Sequence, residues 1–134
     1  MEDKWIYVGI FLNEISKKRL KKFYTIPEGW KEYFDHMTVV YNDGSQTAKD
    51  IYSVCKKLEG KNFRLQISGS GISDKAYAVS VNTPAGLPSG NKINHITLAT
   101  SPSGKPVDSN YIENWSKINK DLFVTGTLKV YKGN

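Results

Sequence analysis

His36-Met37-Thr38-Val39 and His95-Ile96-Thr97-Leu98 follow one pattern, H-x-T-apolar, and between them they hold the only two histidines of the chain. Apolar and β-branched residues surround both, so each reads as a strand. In a strand, a hydroxyl two residues on points to the same face as the histidine. If the two strands lie side by side, two imidazoles and two hydroxyls converge on one small space. Imidazole changes protonation near neutral pH. One ring can therefore take a proton from water while the other gives one to a leaving oxygen, and the hydroxyls can hold a phosphate. The pattern points to a phosphodiester substrate, with His36 and His95 as catalytic residues and Thr38 and Thr97 as phosphate-binding residues.

Outward from the motifs the chain reads as one unit used twice: strand, H-x-T strand, helix, strand. In the first half, Trp5 to Leu12 is rich in β-branched and aromatic residues. Asn13 can cap a helix whose Ile15, Arg19 and Leu20 share a face. After the H-x-T strand, Asn42-Asp43-Gly44 signals a turn, and Thr47 to Leu58 has helical periodicity through Ile51, Val54, Cys55 and Leu58. Phe63 to Ile67 closes the unit. In the second half, Tyr77 to Val81 is a strand and a Pro/Gly-rich loop, Thr83 to Asn91, replaces the first helix. Ile93 to Ala99 is the motif strand, a short helix is expected around Tyr111, Ile112 and Trp115, and Leu122 to Tyr131 closes. Phe63 follows His36 at the spacing by which Leu122 follows His95, and both closing strands carry a small hydroxyl residue before glycine, Ser68-Gly69 and Thr125-Gly126. The expectation is one α+β domain over residues 1–134, with repeats of about 1–73 and 74–134 related by a pseudo-twofold axis.

A chain of 134 residues suffices for a single core, and 39% hydrophobic with 24% charged residues is a globular, not a disordered, composition. No apolar run approaches membrane-spanning length, so no membrane partner is expected, and the start, Met1-Glu2-Asp3-Lys4-Trp5, lacks the layout of a secretory signal. A lone Cys55 forbids an internal disulfide and fits a reducing, cytoplasmic setting; on a helix it reads as a packing residue rather than a nucleophile. With one cysteine and two histidines, neither a structural zinc site nor any other metal or cofactor is expected. The net charge of +6 is mostly lysine, clustered at Lys17, Lys18, Lys21 and Lys22 and at Lys56, Lys57 and Lys61. Such clusters solvate helix faces and equally suit attraction of a polyanion.

The duplicated motif inside a repeated strand–helix–strand unit resembles the 2H phosphoesterase superfamily over nearly the whole chain. His95-Ile96-Thr97-Leu98 followed by Gly104-Lys105-Pro106-Val107-Asp108-Ser109-Asn110 is similar to the cyclic phosphodiesterase domain of fungal and plant tRNA ligases, as are Tyr7-Val8-Gly9-Ile10-Phe11-Leu12 and Asp35-His36-Met37-Thr38-Val39. The resemblance implies two pseudo-symmetric lobes, each an antiparallel β-sheet with a helix on its outer face, around a central cleft. It implies a metal-independent hydrolase opening 2′,3′-cyclic phosphate ends of RNA or nucleotides to a 2′-phosphate, as in RNA repair and tRNA splicing. No ligase or kinase domain accompanies the motifs, so a free-standing, monomeric module is expected. A nuclease degrading cyclic or 2′-5′-linked oligonucleotide signals, of viral or phage type, is the alternative; an RNA-binding module without turnover is the second.

Around the motifs, a nucleobase needs a flat wall, and Tyr7, Phe11, Trp30, Tyr33 and Trp115 are available, with Tyr7 and Trp30 singled out for substrate binding. Pro27 to Phe34, Leu87 to Asn91 and Ser101 to Lys105 are the expected cleft rims. Ser101 and Ser103 suit either phosphate binding or turn formation, and Lys105 would bring positive charge to the mouth.

Overall fold

Both motif strands alternate between a sealed face and a half-open one: Met37, Val39, Ile96 and Leu98 are wholly buried, while His36, Thr38, His95 and Thr97 remain partly accessible. The computed structural model describes residues 4–84, 86–118 and 121–133. Residues 1–3 of the start and Ala85 of the expected Thr83 to Asn91 loop lie outside the described residues. In chain order the elements are β1 (Tyr7–Leu12), α1 (Glu14–Phe23), β2 (Lys31–Glu32), β3 (His36–Tyr41), α2 (Gln46–Lys57), β4 (Asn62–Ile72), β5 (Ala76–Asn82), β6 (His95–Thr100), a 3₁₀ helix (Pro106–Tyr111), β7 (Trp115–Lys117) and β8 (Phe123–Tyr131).

The protein is a small α+β domain dominated by one antiparallel sheet with few helices. The strand order is β2-β6-β3-β1-β8-β4-β5, β7 pairs with β4, and β5 returns to pair with β6. The path therefore closes on itself, and the halves are interleaved: β8 lies between β1 and β4, β4 pairs with β5 and β7, and β6 pairs with β2 and β3. The register repeats between the halves. Gly9 pairs with Thr38 and Val8 with Val40, skipping Val39; Ala78 pairs with Thr97 and Tyr77 with Ala99, skipping Leu98. Each motif strand thus bulges at the fourth residue of its H-x-T-apolar pattern. The bulge lets two successive residues, Val39 with Val40 and Leu98 with Ala99, both turn into the core.

The helices are anchored as their caps suggest. Asn13 Oδ1 accepts from Ser16 N at 2.8 Å, and Ser45 Oγ accepts from Ala48 N at 3.1 Å. The face expected for α1 is corrected: Ile15 is 70% exposed, and the helix buries Leu20 and Ser16 instead. Ser16 Oγ accepts from Thr125 N at 2.7 Å, and Arg19 donates to the Phe123 carbonyl at 2.6 Å, so α1 is tied to β8 mainly by polar bonds. On α2, Ile51 and Cys55 are buried, whereas Val54 is exposed. Burial pushes the Cys55 thiol up to about 11, which suits a packing role.

The short helix expected around Tyr111, Ile112 and Trp115 is also corrected. A 3₁₀ helix ends at Tyr111, and Trp115 opens β7. Pro106 stands in its first turn, where a missing N–H costs nothing, and Asp108 Oδ2 accepts from Lys105 N at 2.8 Å. This helix and the residues after it pack on the histidine face of β5 and β6, not on an outer face: Ser109 of the helix meets Thr97, Ile112 and Trp115 beyond it cover Ala76 and Ala78, and Ala78 is the pairing partner of Thr97.

The two hydroxyl–glycine pairs have a steric cause. A Cβ on Gly69 would collide with the Ser116 backbone, and one on Gly126 would come within 2.7 Å of both the Phe11 carbonyl oxygen and Ile10 Cγ2. Gly126→Ala is expected to destabilise the fold by about 1–3 kcal/mol through this overpacking, read as a lower midpoint in urea unfolding monitored by circular dichroism. An unchanged midpoint would show that β1 and β8 can part at no cost.

Candidate active site

Met37 pairs with Ile96 in antiparallel sense. That direction brings His36 toward Thr97 and Thr38 toward His95, with all four side chains on the face opposite the Met37 and Ile96 side chains. His36, Thr38, His95 and Thr97 line one pocket of about 270 Å³, together with Tyr7, Tyr33, Asp35, Tyr41, Asn91, Pro106, Val107 and Asn110. The chain reaches it through a kink. Tyr33 N and Phe34 N donate to the Leu98 and Thr97 carbonyls, and the register then shifts before Met37 meets Ile96. Phe34, fully buried, takes a left-handed conformation (φ 54°) at the shift, a strained backbone held by its packing. β2 and β3 thereby share one edge of β6.

Each histidine is held differently. The His36 ring rests against two neighbouring rings, Tyr7 (centroids 5.2 Å, interplanar 20°) and Phe11 (5.0 Å, 28°). Gly9 makes that packing possible, because a Cβ there would lie 3.3 Å from both His36 Cδ2 and Phe11 Cε2. His95 is fixed by a hydrogen bond: its Nδ1 is 3.0 Å from the Ile93 carbonyl oxygen. A carbonyl only accepts, so Nδ1 carries the hydrogen and Nε2 is left for chemistry. Thr97 Oγ1 lies 2.8 Å from Ser109 Oγ, and Ser109 is 1% exposed, so the 3₁₀ helix orients the second threonine. Asn91 Nδ2 donates to the Thr38 carbonyl.

Burial lowers both imidazoles below the ordinary histidine value of 6.5. For His36, the charge of Asp35 opposes that shift and the proximity of His95 adds to it. For His95, the bond to the Ile93 carbonyl opposes it. Asp35 also sits 3.8 Å from Lys17 Nζ, so its charge is shared. Among the described residues, no group of three or more His, Cys, Asp and Glu side chains converges as a metal site.

Of the other candidates, Tyr7 lines the pocket. Trp30, Ser101, Ser103 and Lys105 do not, and the direction of β6 explains why. β2 pairs with Ala99 and Thr100, so Trp30 leaves at the end of β6 remote from His95; its N–H closes a turn on Pro27 O at 3.2 Å. Ser101 to Lys105 leave by that same end. Ser101 N donates to Lys75 O, Gly104 N donates to Ser101 O, and Ser101 Oγ lies 3.5 Å from Ser103 Oγ, which is turn chemistry. Lys105 caps the 3₁₀ helix. Tyr33 and Asn91 come from segments already expected as rims, and Asp35, Ser109 and Asn110 from the stretches quoted for the resemblance, though with no site role of their own; Tyr41 was not marked by any pattern beyond its place in the first motif strand.

No family model matches the chain, and no curated protein matches it. Solved structures do. The chain is similar in fold to a fungal RNA kinase. Against that crystal structure the TM-score is 0.63 at 14% sequence identity, over 98% of this chain and 45% of the other, so this chain spans less than half the length of its structural neighbour. At that identity the likeness is one of backbone alone, and any chemistry must come from the side chains present. Among the described residues, no helix is long and apolar enough to cross a membrane.

With folded values below 6.5, the unfolded chain binds protons first as pH falls through 6.5. The histidine contribution to stability is therefore complete above pH 6.5 and is lost as pH falls through the folded values. NMR titration should give midpoints below 6.5 for both rings. Asp35→Asn should lower the His36 midpoint further and leave that of His95 in place; a His36 midpoint that does not move would remove Asp35 from the electrostatics of the site.

Proposed function

We propose that the protein is a phosphodiesterase acting on 2′,3′-cyclic phosphate ends of RNA by two-histidine general acid–base catalysis. The observation that carries this reading is the convergence of His36, Thr38, His95 and Thr97 on one pocket, out of two motifs remote in sequence. His95, with its tautomer set by Ile93, is the base: Nε2 takes a proton from water as the water oxygen attacks phosphorus. His36, where the charge of Asp35 opposes the effect of burial, is the acid: it protonates the 3′ oxygen as the P–O3′ bond breaks. A 2′-phosphate remains, with His95 protonated and His36 neutral, and exchange with solvent restores the starting state. Thr38 and Thr97 hydroxyls hold the non-bridging oxygens as charge builds there.

Burial alone favours two neutral rings, so the substrate must help. A phosphate anion between the imidazoles favours a proton on one of them, and binding thereby creates the mixed protonation state that turnover needs. The likeness to a fungal RNA kinase supports an RNA-end substrate at the level of fold. Tyr7, Tyr33 and Tyr41 offer walls for the terminal base.

The test is incubation in EDTA with nucleoside 2′,3′-cyclic phosphates and, separately, with 2′-5′ oligoadenylate. Turnover of the first is expected, bell-shaped in pH, with His36→Ala and His95→Ala each losing about 10²–10⁴-fold in kcat while retaining the wild-type circular dichroism. Turnover of 2′-5′ oligoadenylate alone would replace the reading with a signal-degrading nuclease. Turnover of neither, with RNA still bound, would replace it with a binding module.

A further inference from the structure

Three pockets adjoin along the histidine face, and they continue on the His95 side. The histidine pocket shares Asn91, His95 and Asn110 with a second pocket of about 660 Å³. The second shares Lys92, Ile93 and Trp115 with a third of about 630 Å³. Small-molecule sites usually span about 300–1,000 Å³. The histidine pocket alone falls just short of that range, so it suits the reacting group and its immediate nucleoside, while the two outer pockets are each large enough for more.

The register explains why the groove runs one way. Phe11 pairs with His36 and fills its side with a ring, stacked in turn with Tyr7 and, through it, Tyr131. The residue that pairs with His95 is Ser80, and Ser80 pairs on its other edge with Gly69. Where the first half has aromatic bulk, the second has a hydroxymethyl and a hydrogen atom. Ser68 and Ser80 hydroxyls lie 2.8 Å apart at the base of this trough.

The walls carry the chemistry of a nucleic-acid strand. Lys92 and Lys117 line the groove and are exposed, and among the described residues neither is in an ion pair. Glu113 is the one acid among the lining residues of the two outer pockets, and the histidine pocket has Asp35 but no lysine or arginine. A polyanion is thus drawn to the His95 side. Trp115 stands between the second and third pockets, its indole N–H held by the Ile112 carbonyl at 3.1 Å and its ring 6.5 Å from that of His95. A ring fixed in this way beside the reacting centre is a platform for a base.

We infer that the groove lined by Trp115, Lys92 and Lys117 binds the single-stranded RNA preceding the reacting phosphate, so that the protein acts on oligonucleotide ends in preference to mononucleotides. The inference rests on the phosphodiesterase reading above. The terminal nucleoside sits toward Tyr7 and Tyr41, and the nucleotides before it pass over Trp115 toward the two lysines.

The experiment compares kcat/KM for a nucleoside 2′,3′-cyclic phosphate and for a tetranucleotide ending in the same group. Wild-type protein should favour the tetranucleotide by at least about tenfold. Trp115→Ala, and the double substitution Lys92→Ala with Lys117→Ala, should each cut that ratio at least about fivefold. Lys49→Ala, on α2, should leave it alone. Because Trp115 packs on Ala76 and Ala78, the exposed lysine pair decides if Trp115→Ala does not fold. Equal kcat/KM values in the wild type, or a ratio untouched by the lysine substitutions, would overturn the inference. Absence of turnover on both substrates would retire the phosphodiesterase reading only. The groove is then judged by fluorescence anisotropy of a labelled tetranucleotide with a 2′-phosphate end, competed by nucleoside 2′-monophosphate. Binding tighter than the mononucleotide by about tenfold, with a log–log salt slope shallower by about 0.7 for each lysine removed, keeps it; equal binding sinks it.

Discussion

Met37 and Ile96 meet where β3 touches β6, and both are shut off from solvent. Burial of two such side chains is worth about 1.5–3 kcal/mol each, and it cannot be had without turning their neighbours the other way. Strand alternation then forces His36, Thr38, His95 and Thr97 onto the opposite face at a contact between two half-chains. The convergence of the four polar groups is thus a by-product of core packing. The bulges at Val39 and Leu98 reinforce it, since they let each strand bury one further residue without rotating the histidine away.

The two halves share a register but not their furnishings. One histidine is packed against two aromatic rings and the other is hydrogen-bonded to a carbonyl beside small residues. The asymmetry of Phe11 against Ser80 gives the two imidazoles unequal surroundings, which is what the proposed acid–base pair calls for. The same asymmetry closes one side of the site and leaves the other open toward Trp115.

Much of this was legible along the chain. The phase of both motif strands and the cap Asn13 follow from period and from capping chemistry, both of which act over a few residues. Misplaced elements share a cause. Ile15 looked like part of a buried stripe, but α1 docks through Ser16 and Arg19 and leaves Ile15 in solvent. The expected helix at Tyr111 to Trp115 became a 3₁₀ turn and a strand because β4 offered Trp115 a partner. In both cases a distant segment outweighed the local pattern.

By itself the sequence determined that two imidazole–hydroxyl pairs exist, each facing one way from a strand, because alternation is a property of the strand alone. Only the tertiary structure decided which loop residues join them. Trp30 and Ser101 stand close to the motifs in sequence but leave at the wrong end of β6, while Tyr41, Asn110 and Ser109 reach the histidine face. Proximity along a chain says nothing of direction, and direction is set by which strand edge is free when the sheet closes.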